Sequence, residues 1–337
     1  MSDPISDQRP ETFQAPPPPP GPEPKAPRPV RLRLVGIVSF VAGLLMIVAG
    51  IAAILPGGAW TGAAFVFWGM LLFAFSFIPL PTLTGTEEPP MSAMEKLMGI
   101  FYQPTRVFKN LKAHPHWLAA FLVITVVSVV YAVAFAQRLT PERIVNYTME
   151  KLEQSPIKPP PEQMEKTKED ALQQAKQPIQ RFQTVAKSFV GVFVLYAAVA
   201  ALCLLGVLVF GGRINYWQAF AAVLYAAVPI AVIQKLLSLV ILYIKDPDDV
   251  HPILHQESLV QDNLGVLFSP AEHPALFVLA SSIGFLSFYS LWLRAKGLAN
   301  AGYKVSSTAA WGTTISLWIL SLLIGLVFAT LFSSFMS

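Results

Sequence analysis

Charged residues make up 13% of this 337-residue chain, about half the 25% usual for a fold that faces water. Cysteine is almost absent. Cys203 stands alone, so the chain can form neither an internal disulfide nor a zinc site built from several thiolates. Signatures of chemistry are missing too. There is no His-Glu-x-x-His, no Gly-x-Ser-x-Gly, no phosphate-cradling Gly-rich loop and no dinucleotide fingerprint. The twenty acids all fall in the N-terminal tail or in polar segments between apolar runs. A proton relay or a carboxylate-lined cation path therefore lacks its usual parts. We expect a protein that is not an enzyme and has no cofactor and no resident metal. The net charge of +4 comes without a basic face interleaved with aromatics, so nucleic acid is not an expected partner.

What the chain has is long apolar runs. Hydrophobic residues reach 54% and mean hydropathy is +0.54. Crossing about 30 Å of hydrocarbon takes about 20 apolar residues. By that rule seven runs qualify: Leu34–Leu55, Trp60–Leu80, Trp117–Gln137, Phe189–Phe210, Trp217–Tyr243, Leu276–Leu293 and Ala309–Phe335. The expectation is an all-α membrane protein with seven transmembrane helices. A proline-rich tail, residues 1–32, precedes them. It has too little apolar surface to offset its ordering entropy and is predicted to be disordered. Its length and polarity also argue against a cleaved signal.

The first two runs, within residues 33–80, are joined only by Pro56-Gly57-Gly58-Ala59 and should form a tight hairpin. Gly36, Gly43 and Gly50 recur every seven residues, and Gly62 and Gly69 repeat the spacing. In lipid such stripes let helix backbones approach closely. Between Pro81 and His116 lies a basic stretch with apolar members Met94, Leu97, Phe101, Phe108 and Leu111. Pro104 divides it into two short helices. Lys96, Arg106, Lys109 and Lys112 suit lipid phosphates or an acidic partner surface. Residues 138–187 read as an extramembrane helical hairpin. It starts at Pro141, breaks over Pro156–Pro161, kinks at Pro178 and carries the apolar face Leu172, Ala175, Ile179 and Phe182.

If the N-terminus is cytoplasmic, the inner segments hold Arg28, Arg31, Arg33, Lys96, Arg106, Lys109, Lys112, Arg213, Arg294, Lys296 and Lys304. The outer loop Lys245–Pro274 has six acids and one lysine. That is the positive-inside pattern, although the outer hairpin also holds nine basic residues. Two intramembrane features stand out. Gln234 and Lys235 lie inside the fifth run, where an ionisable group is a functional-site hypothesis by default. Pro229, six residues earlier, frees a backbone carbonyl. Together they define a candidate polar site and an alternative reading as a small-solute or anion transporter. His251 and His255, near Asp248, Asp249 and Glu257, are metal-capable residue types, but Pro252 between them disfavours one helical face. A solvated acidic loop is the preferred reading.

From about Ala93 onward the chain resembles the Yip family of multi-spanning membrane proteins, named for the interaction of its eukaryotic members with Ypt/Rab GTPases. The residues that carry the likeness begin with Phe101-x-x-Pro104-x-x-Val107-Phe108, followed by Leu111, Pro115 and Trp117. Tyr216-Trp217-Gln218-Ala219-Phe220, Tyr225 and Pro229 resemble the family's central span. Asp246-Pro247-Asp248-Asp249, Asn263-Leu264-Gly265 and Leu291-Trp292-Leu293 with Gly297-Leu298 resemble bacterial members. Gly284 departs from that pattern, where an acidic residue is expected, and so does Tyr289, where tryptophan is expected. The resemblance implies a five-span domain over residues 93–335 with the first two spans as an addition. It also implies a non-enzymatic membrane protein that organises or recruits partner proteins. Phe101, Pro104, Arg106, Phe108, Lys109, Lys112 and Trp117 are the candidate contact segment. Expected partners are membrane lipids and proteins of unknown identity; the glycine stripes and the hairpin permit a homo-oligomer without requiring one. The expected location is a bacterial cytoplasmic membrane rather than a eukaryotic Golgi or ER membrane.

Overall fold

A computed structural model of the chain describes residues 28–52, 58–81, 89–154, 160–176 and 179–331. Most of the expected N-terminal tail, Pro56 and Gly57 of the turn Pro56–Ala59, most of the break at Pro156–Pro161 and the kink at Pro178 lie outside them, as do three side chains of the expected hairpin face, Ala175, Ile179 and Phe182. The described residues form helices: α1 (Val30–Ile51), α2 (Gly58–Phe75), α3 (Ala93–Tyr102), α4 (Pro104–Ala113), α5 (Leu118–Leu139), α6 (Pro141–Gln154), α7 (Pro161–Lys176), α8 (Ile179–Val209), α9 (Tyr216–Ile244), α10 (Pro274–Ser281), α11 (Phe285–Ala301) and α12 (Ser307–Leu331). Among the described residues there is no strand, only the isolated bridges Arg213 to Lys304 and Asn263 to Gly284.

Five helices are long and apolar enough to cross a bilayer: α1, α5, α8 from Ser188, α9 and α12. Two of the seven predicted runs differ. The second is shorter than expected. Its helix stops at Phe75, and the Ser76 hydroxyl donates to the Phe73 carbonyl at 2.6 Å as the chain turns. The sixth, predicted as one helix over Leu276–Leu293, is two. α10 ends at Ser281, Gly284 is extended, and α11 starts at Phe285. The break is held from outside. Leu264 N donates to the Ile283 carbonyl at 3.1 Å, and Asp262 accepts from Phe285 N through its carbonyl and from Leu286 N, at 2.6 Å, through its carboxylate. A Cβ on Gly284 would stand 2.9 Å from Asn263 and 3.0 Å from the Asp262 carbonyl. The glycine is required by close approach, which explains the departure noted above.

Glycines also fuse α1 to α2. Cβ atoms added at Gly36, Gly43, Gly62 or Gly69 would all meet backbone of the opposite helix at under 3 Å. Lipid supplies no hydrophobic drive between helices, so this close backbone contact, with its dispersion, is what holds the hairpin. α2 then docks on the other helices through aromatic edges. Trp68 lies 4.6 Å from Phe193 and 5.2 Å from Phe189, and Phe75 lies 5.3 Å from Tyr216. The cluster continues through Trp117, Phe121, Trp217 and Phe220. Each such pair adds about 0.5–1.5 kcal/mol beyond area burial. Trp217 Nε1 donates to the Ile78 carbonyl at 3.1 Å and Asn215 Nδ2 to the Pro79 carbonyl at 3.1 Å, fixing where the chain leaves α2.

Candidate functional site

The segment between α2 and α5 folds as a helical pair on one end of the bundle. Ser92 caps α3: its hydroxyl accepts from Glu95 N at 3.2 Å, while Glu95 accepts from Ser92 N at 2.7 Å. Hydrogen bonding from the Ser92 backbone N–H first, and from its side chain second, holds the Glu95 carboxyl below its usual range. Pro104 opens α4 at its first position, where its missing N–H costs nothing. Asn110 ties down the segment that leads into α3, accepting from Met91 N at 3.2 Å and donating to the Pro89 carbonyl at 3.1 Å. From α9, Gln218 Nε2 donates to the Lys112 carbonyl at 2.7 Å.

The seven predicted contact residues separate into two groups. Phe101 is 41% exposed and neighbouring Tyr102 68%. Arg106 and Lys109 are exposed and Pro104 half-buried. Phe108, by contrast, is fully buried. Its ring lies against Gly297 of α11, where an added Cβ would sit 3.1 Å away. It is a core residue, so the expectation that it offers a contact surface is corrected. Its place on α4 rather than α3 is the reason, because the helix restarts at Pro104. Trp117 stacks 6.3 Å from Trp217 within the aromatic cluster. Lys112 sits 5.3 Å from the Tyr303 ring, a cation–π contact.

Met94, Met98, Phe101 and Tyr102 thus form an outward apolar stripe on α3, with Arg106 and Lys109 beside it on α4. Met98 and Tyr102 were missed in the sequence. The i, i+4, i+7, i+8 spacing from Met94 was the available signal.

Lys96 is corrected as well. It points inward, 1% exposed, and donates to the His114 carbonyl at 3.2 Å. Burial lowers its pKa to about 8. Between about 8 and the ordinary lysine value the unfolded chain holds the proton that the folded chain has released, so stability rises with pH there, by at most about 1.4 kcal/mol per unit. The thermal midpoint of detergent-solubilised protein should therefore rise from pH 7.5 to pH 9.5, and Lys96→Met should remove the Lys96 part of that rise.

The intramembrane pair does not form one site. Adjacent residues on a helix point about 100° apart. Lys235 faces the loop after α9. Its ammonium donates to the Glu257 carbonyl, pairs with the Glu257 carboxylate at 3.2 Å and lies 4.9 Å from the Tyr131 ring. The Glu257 side chain is almost wholly exposed, so the ion pair itself is weak. Beside it, the Ser238 hydroxyl accepts from Leu259 N at 2.9 Å. Gln234 instead lines a cavity of about 410 Å³ between α8, α9, α11 and α12. Pro229 stays within a continuous α9.

At the same end of the molecule as Lys235, Arg143 of α6 pairs with Asp248 at 2.9 Å and donates to the Pro247 carbonyl at 2.7 Å. His251 Nδ1 accepts from Ile253 N and Leu254 N, both at 3.1 Å, which leaves Nε2 to donate to the Tyr147 hydroxyl, 2.9 Å away. His255 Nδ1 accepts from His251 N at 3.0 Å. Among the described residues no three metal-capable side chains converge. Burial first, then His251 and Lys245, lower the His255 pKa to about 4. The unfolded loop takes up protons below about 6.5 that the folded loop refuses, so stability is lost as pH falls from 6.5 toward 4. Hydrogen-exchange protection of the loop's amides, corrected for intrinsic rates, should fall over that window. In His255→Asn, whose amide oxygen replaces Nδ1, the fall should shrink.

A multi-pass helical membrane protein, with one end capped by a helical pair, is the class these features define. The family model of the Yip1 domain matches residues 98–329. The chain belongs to the Yip1 domain family. Searches of the curated proteins and of the solved structures return no significant match.

Proposed function

We propose that the protein is a non-enzymatic organiser that recruits partner proteins at its membrane through the α3–α4 pair. One observation carries this reading. A stripe of Met94, Met98, Phe101 and Tyr102 is left exposed on a support held by Asn110, Gln218 and buried Phe108. Exposed apolar stripes rimmed by basic residues mark protein or membrane-interface contacts.

The bilayer is crossed seven times, with α2 and the broken α10–α11 unit completing the five long helices. Residues 33–80 form an added hairpin and residues 93–335 the Yip-like unit. The α3–α4 pair is cytoplasmic. Support comes from the end it shares with Arg213 and Lys304, joined backbone to backbone, and with Arg33, whose guanidinium lies 5.4 Å from the Phe73 ring. The opposite end holds the acidic loop, and basic residues favour the cytoplasmic side. A bacterial cytoplasmic membrane is the setting. A transporter using Lys235 and Pro229 has less support, because the Glu257 carbonyl and the Tyr131 ring already engage the ammonium and Pro229 lies within a continuous helix.

The test is in-cell crosslinking of tagged protein at native abundance, with identification of captured proteins. A reproducible partner set that vanishes in Phe101→Ser/Tyr102→Ser, at unchanged membrane level, supports the proposal. A set equal to that of wild type sinks it.

A further inference from the structure

The cavity between α8, α9, α11 and α12 is lined by one cationic side chain, Arg294, which has no acidic partner among the described residues. Its polar lining includes Gln234, Ser287, Ser290 and Arg294, and no acid lines it. None of these four side chains has a hydrogen-bond or ion-pair partner among the described residues, whereas Lys235, one residue from Gln234, has three contacts. Arg294 is half-buried and lies seven residues before the end of α11 at Ala301, about 10 Å along the axis. At that depth a charged side chain is costly and faces a cavity or a partner. The apolar wall opens sideways. Leu202 of α8 and Leu320 and Ile324 of α12 line the cavity and are 41%, 42% and 50% exposed on the helix surface. The N-terminus of α11 is not the anion hook, because Asp262 already accepts from Phe285 N and Leu286 N.

We propose that this cavity binds an anionic lipid with a compact phosphate headgroup, taken in laterally from the bilayer. The guanidinium pairs with the phosphate in its planar fork. Gln234, Ser287 and Ser290 supply further hydrogen bonds, and an acyl chain leaves over Leu202, Leu320 and Ile324. A free phosphate would meet the same polar groups but would leave the apolar opening uncovered, so a lipid is the better fit. The assignment is independent of the α3–α4 surface, whose variants leave this cavity untouched.

The experiment is native mass spectrometry of the purified full chain in neutral detergent. The probes are phosphatidic acid, phosphatidylcholine and inorganic phosphate, applied to wild type, Arg294→Gln, Ser290→Leu and Arg213→Gln. Arg213 is exposed and away from the cavity. Phosphatidic acid should be retained at least tenfold over phosphatidylcholine by wild type and Arg213→Gln. Both cavity variants should lose that preference. Ser290→Leu fills the cavity without removing the charge and serves if Arg294→Gln fails to fold. Full retention of phosphatidic acid in a folded cavity variant overturns the proposal. Competition by millimolar inorganic phosphate as effective as by lipid assigns the site to a soluble anion and overturns it equally.

Discussion

Phe108→Ala should lower the stability of the membrane domain by about 3–5 kcal/mol, the usual cost of emptying a large aromatic site, and most of the protein should be lost from membranes. The ring is fully buried and stands on Gly297, with Ala222 close by, so its removal opens a void between α4, α9 and α11. Phe101→Ser/Tyr102→Ser, seven and six residues earlier, should leave the thermal midpoint within about 1–2 °C of wild type, because exposed positions rarely move stability by more than about 0.5 kcal/mol. Accumulation and unfolding in detergent distinguish the two. If both variants accumulated normally, the burial of Phe108 would be wrong; if both were lost, α3 would be part of the core rather than a surface.

The second large effect is expected at Gly69. A Cβ there would collide with Phe40 N and fall 2.6 Å from the Gly36 carbonyl, both backbone atoms that no rotamer change can move aside. Gly69→Leu should push α1 off α2. Spin labels at Val41 and Phe67, both exposed, should report one narrow distance in wild type and a longer, broader one in the variant. The damage should stay local, since the Yip1 match begins only at residue 98 and Trp68 still reaches Phe189 and Phe193. An unchanged distance would mean that the glycine stripe does not set the hairpin.

The long helices were legible because spanning hydrocarbon leaves few options: α5, α9 and α12 begin within about two residues of the positions read from hydropathy. The glycine contacts followed from spacing alone. The break between α10 and α11 was not legible. Ser281-Ser282-Ile283-Gly284 carries no charge and no proline to interrupt the run around it, and the groups that satisfy its open backbone come from Asp262 and Leu264, some twenty residues away. Phe101 and Phe108 looked equivalent as aromatic members of one basic stretch; the division at Pro104 was legible, but not that α4 turns Phe108 onto Gly297 of α11. Lys235 stands out in the sequence as an ionisable group inside an apolar run, but Glu257 reaches it from a loop whose path hydropathy cannot trace. Arg294 went unnoticed as one more basic residue near a span end. Only the cavity around it makes it distinctive.

The central claim, that the outer face of α3 is a protein contact surface, is tested most directly by a photo-crosslinking residue at Met98, which is 58% exposed, with the same probe at Leu122 of α5, 42% exposed, as the lipid-facing reference. The account predicts discrete protein adducts from position 98, lost when Phe101→Ser/Tyr102→Ser is combined with the probe, and only lipid adducts from position 122. Lipid adducts alone at both positions would contradict it.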